Sequence, residues 1–187
     1  MRKVLIVMAV AALLVFSGLK YAAVRQRLLA QRTAIDNQWT GVENAMQRRA
    51  DLISTRAAGL KSLSGETAEV TGNIAQARAS LVASRTPREK MAAYGGLDQA
   101  IAHLLAMVQK DRKGRTGTRL SHLPDDISNT ENEVNVARQK YNEALETYNT
   151  MLQLFPNNIV AAVSGFTRND AYIQTGTGAV HGAKVQF

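Results

Sequence analysis

The sequence predicts an all-α fold: an N-terminal transmembrane helix continuous with a long-helix antiparallel bundle of about four helices. Three observations predict it. An uncharged apolar run opens the chain from Val4 to Leu19. Apolar residues then recur at steps of three, four and seven through most of the remaining chain, the repeat of a helix with one buried face. Composition agrees, with 3 prolines in 187 residues, 5% aromatics and an abundance of Ala, Leu, Gln, Arg and Glu, which is a helical profile.

That length suits one domain plus an anchor. The chain has no cysteine, which excludes disulfides, thiolate metal sites, a thiol nucleophile and a lipid-modified cysteine. The formal charge is +8, and such a balance favours anionic partners, phospholipid headgroups among them.

Residues 1–24 are read as the anchor. Val4 to Leu19 covers about 24 Å as a helix, short of a bilayer core of roughly 30 Å. Extension to Val24 makes up the difference if Lys20 snorkels to the headgroups beside Tyr21. The competing reading is a cleaved signal peptide, for which Arg2 and Lys3 would be the basic start. Its cleavage signal is weak: Val15-Phe16-Ser17 is passable, and the Ala22-Ala23 pair puts Lys20 or Tyr21 three residues back. Lys20, Arg25, Arg27 and Arg32 after the run outnumber Arg2 and Lys3 before it, which places the body on the cytoplasmic side by the positive-inside rule.

Residues 25–166 are read as the bundle. Val24, Leu28, Ile35, Trp39, Val42, Met46, Ile53, Leu60 and Leu63 form one stripe, so the anchor is expected to run on unbroken to about Ser62. Ser64-Gly65 stops it. Val70, Ile74, Ala77 and Leu81 mark a second helix within Glu66 to Ser84. Thr86-Pro87-Arg88-Glu89 is a capping box with proline at the first helical position. It opens a third helix with Met91, Leu97, Ile101, Leu104, Leu105 and Val108 inward, weakened at Gly95-Gly96. Lys110 to Arg119 is rich in glycine and positive charge and reads as an exposed loop. The last long helix runs from Pro124 to Phe155, with Ile127, Val134, Tyr141, Tyr148 and Phe155 at sevens and Arg138, Leu145 and Leu152 between them. Pro156 closes it. Asn157 to Gly165 suits one short helix, and 167–187 has no period and is expected to be a mobile tail.

The chain resembles the LemA family. Asp36 to Trp39, then Gln47-Arg48-Arg49-Ala50-Asp51-Leu52-Ile53, are similar to that family's first-helix pattern, and Ala77-Arg78 to its next motif. Thr130-Glu131-Asn132, Ala137-Arg138, Tyr141-Asn142, Tyr148-Asn149-Thr150 and Phe155-Pro156-Asn157 resemble its last-helix series. The family's tyrosine-proline-aspartate segment is replaced by the basic Lys110 to Arg119 loop, and Ser54 stands where the family has proline. The resemblance implies one N-terminal membrane helix with its tip outward, a helical body, no established enzymatic activity and, in some relatives, an association with building an organelle membrane.

The residues themselves point away from catalysis. His103, His122 and His181 stand apart, with no ligand spacing between them, so no metal or cofactor is expected. The basic loop has no interleaved aromatics, so no nucleic acid is expected either. Arg138 interrupts an apolar seam and needs a carboxylate partner, because an unpaired buried charge is costly. With Arg48, Arg49, Asp51 and Glu131 it reads as an interhelical ion pair that fixes register, a ligand site being the alternative. Tyr141, Asn142, Tyr148 and Asn149 read as core tyrosines with neighbouring asparagines bonded across to another helix; a recognition surface is the alternative.

The expected function is a non-enzymatic scaffold that assembles or spaces components at the bacterial inner membrane. An adaptor that binds a partner protein through its helical face is the alternative. The first helix is longer than the last, so Val24, Leu28 and Ile35 are left to be covered by lipid, by the Ile159 to Phe166 segment or by the same stripe of a second copy, and the second copy is the expectation. The expected partners are therefore the lipid bilayer, a homo-oligomer and an unidentified protein.

Overall fold

The computed structural model describes residues 2–59, 65–110 and 121–174. Among these residues there are five helices and no strand: α1 (Arg2–Ala58), α2 (Gly65–Ala83), α3 (Pro87–Lys110), α4 (Leu123–Gln153) and α5 (Asn157–Ser164).

The 57 residues of α1 span about 85 Å. Its N-terminal part has a mean hydropathy of 2.2 over 18 residues, none of them buried, and is long and apolar enough to cross a membrane. The same helix enters the bundle at Val24 without a break. It ends at Ala58, before the expected Ser62, with Gly59 in a turn. Leu60 and Leu63, the basic loop beyond Lys110 and the tail from 175 onward lie outside the described residues.

α4 returns antiparallel along α1 in a constant register. Arg56 pairs with Asp126 (2.9 Å) and Arg48 with Glu133 (3.6 Å), and the rings of Trp39 and Tyr141 meet edge to face at 5.6 Å. Every step forward on α1 is thus matched by one back on α4. Along one face of α4 the buried Leu123, Ile127, Thr130, Val134, Arg138, Tyr141, Leu145 and Tyr148 follow one another at steps of three or four. Val42, Met46 and Ile53 of α1 are fully enclosed opposite them. This is the spacing of a knobs-into-holes seam, and each large side chain in it contributes roughly 1.5–3 kcal/mol by burial.

α2 and α3 form a hairpin that leans on α1. The capping box between them is built as the residues predict: Glu89 N–H donates to Thr86 Oγ1 (3.2 Å), while Thr86 and Arg85 N–H donate to Glu89 Oε2 (3.2 and 2.8 Å). Those two backbone donors hold the Glu89 carboxyl below its ordinary pKa. α3 passes straight through Gly95-Gly96, where a Cβ would meet nothing within 4 Å. Gly95→Ala and Gly96→Ala are each expected to add roughly 0.8–1 kcal/mol in chemical denaturation of the detergent-solubilised protein. A loss at either position would mean that packing requires the glycine.

After α4 the chain turns at Leu154 to Pro156 and α5 packs back on α1 and α4. Gly165 ends α5 in the left-handed conformation (φ 73°), its N–H and that of Phe166 both donating to Ala161 O. α4 and this returning segment together correct the expectation of an uncovered stripe. Val24, Leu28 and Ile35 are buried within the chain: in the α1–α4 register Ile35 and Leu28 fall opposite Leu145 and Leu152 of α4, and α5, whose Ser164 bonds Tyr21, reaches the part of α1 beyond the end of α4. Leu28→Asp is therefore expected to cost at least about 3 kcal/mol and to expose α5 to protease. A folded, protease-resistant but smaller particle would restore the self-assembly account.

Candidate functional site

Two polar constructions interrupt the apolar core, and between them they hold nearly every polar residue the sequence singles out. The first lies where α1, α3 and α4 meet. Arg49, on the inner face of α1, is 4% exposed. Its Nη1 donates to Asp98 Oδ1 (2.6 Å) and to the Tyr94 hydroxyl and forms an ion pair with Glu131 Oε2 (2.5 Å). That hydroxyl in turn donates to Glu131 Oε2 at 3.4 Å.

Arg138 of α4 completes the cluster differently from the expectation. Among the described residues it has no carboxylate partner; its guanidinium lies over the Tyr94 ring at 4.9 Å, with Arg49 over the same ring at 5.3 Å. The reason is geometric, because Arg49 already holds both nearby carboxylates. Arg138 still acts on Asp98 through space. Two cations and two anions therefore leave the buried cluster neutral, the condition under which burying charge is tolerable.

Burial pushes the Tyr94 phenol far above its ordinary pKa, against the pull of Arg49. Burial also raises Asp98, with Glu131 adding and Arg49 opposing. For Arg49 burial acts downward, but Tyr94, Asp98 and Glu131 outweigh it and the net shift is upward. Tyr94 is thus a neutral donor and Arg49 a fixed cation, an arrangement that joins α1, α3 and α4 at one point. Asp51 stands outside it and pairs with Arg78 of α2 at 2.5 Å on the surface.

The second construction lies nearer the membrane, where residues 167–174 run back along α4 as an extended strap. Asn149 Nδ2 donates to Asn169 O (2.7 Å) and its Oδ1 accepts Asn169 N–H (2.9 Å). Asn142 clamps Ile173 in the same way, at 2.5 and 2.9 Å. Each side-chain amide thus pairs with one residue's N–H and C=O, as a neighbouring strand would. The spacing fits. Two turns of α4 rise about 10.5 Å, while four extended residues cover about 13 Å, and a tight turn from Asp170 O to Tyr172 N–H (2.8 Å) takes up the difference.

Tyr148 adds a hydrogen bond from its hydroxyl to Thr167 O at 3.0 Å, and Ile173 is 4% exposed. The tyrosines are core residues, as expected. Their asparagine neighbours, however, bond to the strap and not to another helix. For 167–174 the expected mobile tail is corrected accordingly, because side-chain clamps hold it where no periodic pattern could announce it. Phe155 is also corrected: α4 ends at Gln153, two residues short of the last heptad position, and the Phe155 side chain is 80% exposed beside an exposed Pro156.

The sequence reading missed Tyr94 and Asp98. Tyr94 lies three residues before Leu97 and seven before Ile101, so the stripe of α3 already contained it. Among the described residues no group of three or more His, Asp or Glu comes together to hold a metal ion. The LemA family model matches residues 38–187, a stretch that includes both constructions and leaves out the apolar N-terminal run. No curated protein matches the chain.

Proposed function

The chain belongs to the LemA family, and from that premise we propose that it is a membrane-anchored, non-enzymatic scaffold that assembles or spaces components at a bacterial inner membrane. One observation supports this reading above the others. The apolar segment and the long wall of the bundle are a single helix, with no break between Leu19 and Val24. A flexible link would suffice to tether a soluble body, whereas a continuous helix acts as a stiff spacer of about 1.5 Å per residue. It sets the height and tilt of whatever the bundle holds.

The details at the exit point suit a membrane boundary. The Lys20 ammonium lies over the Phe16 ring at 5.3 Å, and Tyr21 comes next, the pairing of basic and aromatic residues found at interfaces. The body is assigned to the cytoplasmic side on the excess of Lys20, Arg25, Arg27 and Arg32 over Arg2 and Lys3. An adaptor acting through the Tyr141 to Asn149 face is the weaker reading, because the strap occupies that face.

A Gly-Ser insertion after Ala23 tests the proposal, since it keeps anchor and bundle but frees their relative height. Native-gel sizing in mild detergent is expected to show the wild-type chain in a larger assembly that the insertion disperses. Wild-type protein migrating as a lone monomer would sink the scaffold reading.

A further inference from the structure

Outside α1, six large apolar side chains stand exposed among the described residues: Val82, Val136, Leu154, Phe155, Ile159 and Val163. The last four fall within ten residues of one another, at the turn before α5 and along it, and are 57%, 80%, 56% and 72% exposed. Ile159 and Val163, four residues apart, share one face of α5. The opposite face carries the buried Val160 and Ala161 and packs on α1 and α4. A helix eight residues long that is apolar on both faces has one face more than its own bundle covers.

The position of that face along α1 indicates what covers it. Ser164, the last residue of α5, shares a hydrogen bond with the Tyr21 hydroxyl at 2.9 Å. Residues 4 to 24 span about 31 Å as a helix, close to the roughly 30 Å of a bilayer core. Tyr21 therefore lies at the edge of the hydrocarbon, and the C-terminal end of α5 is held at the same level. Arg25 and Arg27, both exposed, come within the next two turns at headgroup height. Exposed apolar side chains at the level of exposed basic ones are the pattern of a segment seated in the membrane interface.

We infer that α5 and the turn before it form a second membrane contact, in which Leu154, Phe155, Ile159 and Val163 enter the headgroup and outer acyl region of the leaflet on the body's side. The inference rests on the reading of residues 4–24 as a membrane span. It gives the bundle two points of attachment, α1 through the bilayer and α5 on it, which would fix the bundle's rotation about the α1 axis as well as its height. The occupant is lipid: the face sits at the level where α1 itself leaves the bilayer, and Arg25 and Arg27, exposed just beyond that level, are residues that headgroups attract.

The absence of cysteine allows single labels in the full chain. Ile159→Cys, Val163→Cys, Leu13→Cys and Val136→Cys, each carrying an environment-sensitive fluorophore, are reconstituted into phosphatidylglycerol-containing vesicles. Quenching is read with nitroxides placed shallow or deep on the lipid chains and with aqueous iodide. The expected result is loss of emission at positions 159 and 163 to the shallow nitroxide, at 13 to the deep one, and at 136 to iodide alone. Iodide quenching at 159 and 163 with deep quenching at 13 would overturn the second contact and leave the anchor standing. Protection of 159 and 163 from every quencher would overturn it in favour of a covering protein, such as a second copy. Iodide quenching at 13 would defeat the anchor reading and this inference with it.

Discussion

Arg49→Met is expected to destabilise the bundle by about 3 kcal/mol, the low end of what breaking a buried ion pair costs. The low end applies because the Asp98 and Glu131 side chains are each 30% exposed, so water screens part of the repulsion the substitution leaves behind. For a chain of this size that is a fall in melting temperature of roughly 6–12 °C, read by circular dichroism in detergent. The loss should depend on pH with a definite sign. Without Arg49, the Asp98 carboxyl, which burial already raises, loses the main cation that opposes that shift and stands further above its unfolded pKa. A raised folded pKa contributes stability that is present below the unfolded value and lost as pH rises through the folded one. The variant's deficit should therefore shrink as pH falls through the carboxylate range. Arg49→Met combined with Glu131→Gln should recover part of the loss, because Asp98 and Arg138 then leave the cluster neutral again. An unchanged melting temperature in the single variant would show that the cluster does not hold the helices in register.

The second large effect is local. Asn149→Leu keeps the branching of the side chain at Cγ and removes both hydrogen bonds to Asn169. It leaves that residue's N–H and C=O unpaired against the helix, at about 1–3 kcal/mol for each group that stays dry. The strap can escape this cost by lifting off. Asn142→Leu with Asn149→Leu is thus expected to release residues 167–174 while the α1–α4 seam stays folded. Hydrogen exchange should show it as lost protection at Asn169 and Ile173 beside unchanged protection in α4. Retained protection at both amides would mean that Tyr148, Ile173 and Phe166 hold the strap without the asparagines.

Most of the fold was legible because a seam between long helices repeats. Leu28, Ile35, Val42, Met46 and Ile53 on α1 and Ile127, Val134, Tyr141 and Tyr148 on α4 announce their faces by spacing alone, and Thr86 with Glu89 announces a helix start through a local hydrogen-bond pattern. What was not legible depends on partners brought from elsewhere in the chain. Arg138 was correctly expected to be buried, yet nothing in the order of residues says that Arg49 takes the carboxylates and leaves Arg138 the Tyr94 ring. The strap is the clearest case. An extended segment clamped by side-chain amides has no period of its own, and only the repeated Tyr141-Asn142 and Tyr148-Asn149 pairs mark its site, on the other element. The stripe at Val24, Leu28 and Ile35 announces itself by spacing, but helix lengths alone do not say whether lipid, the Ile159 to Phe166 segment or a second copy covers it.

The central claim is that the membrane span and the bundle wall are one rigid helix, and the most direct test is a distance across the exit point. Spin labels at Leu13→Cys and Thr40→Cys, measured by pulsed electron resonance in lipid nanodiscs, are predicted to give a single narrow distribution centred near about 40 Å, the rise of an unbroken helix over that interval. A broad distribution, or one centred well below that distance, would place a hinge between span and bundle and contradict the claim.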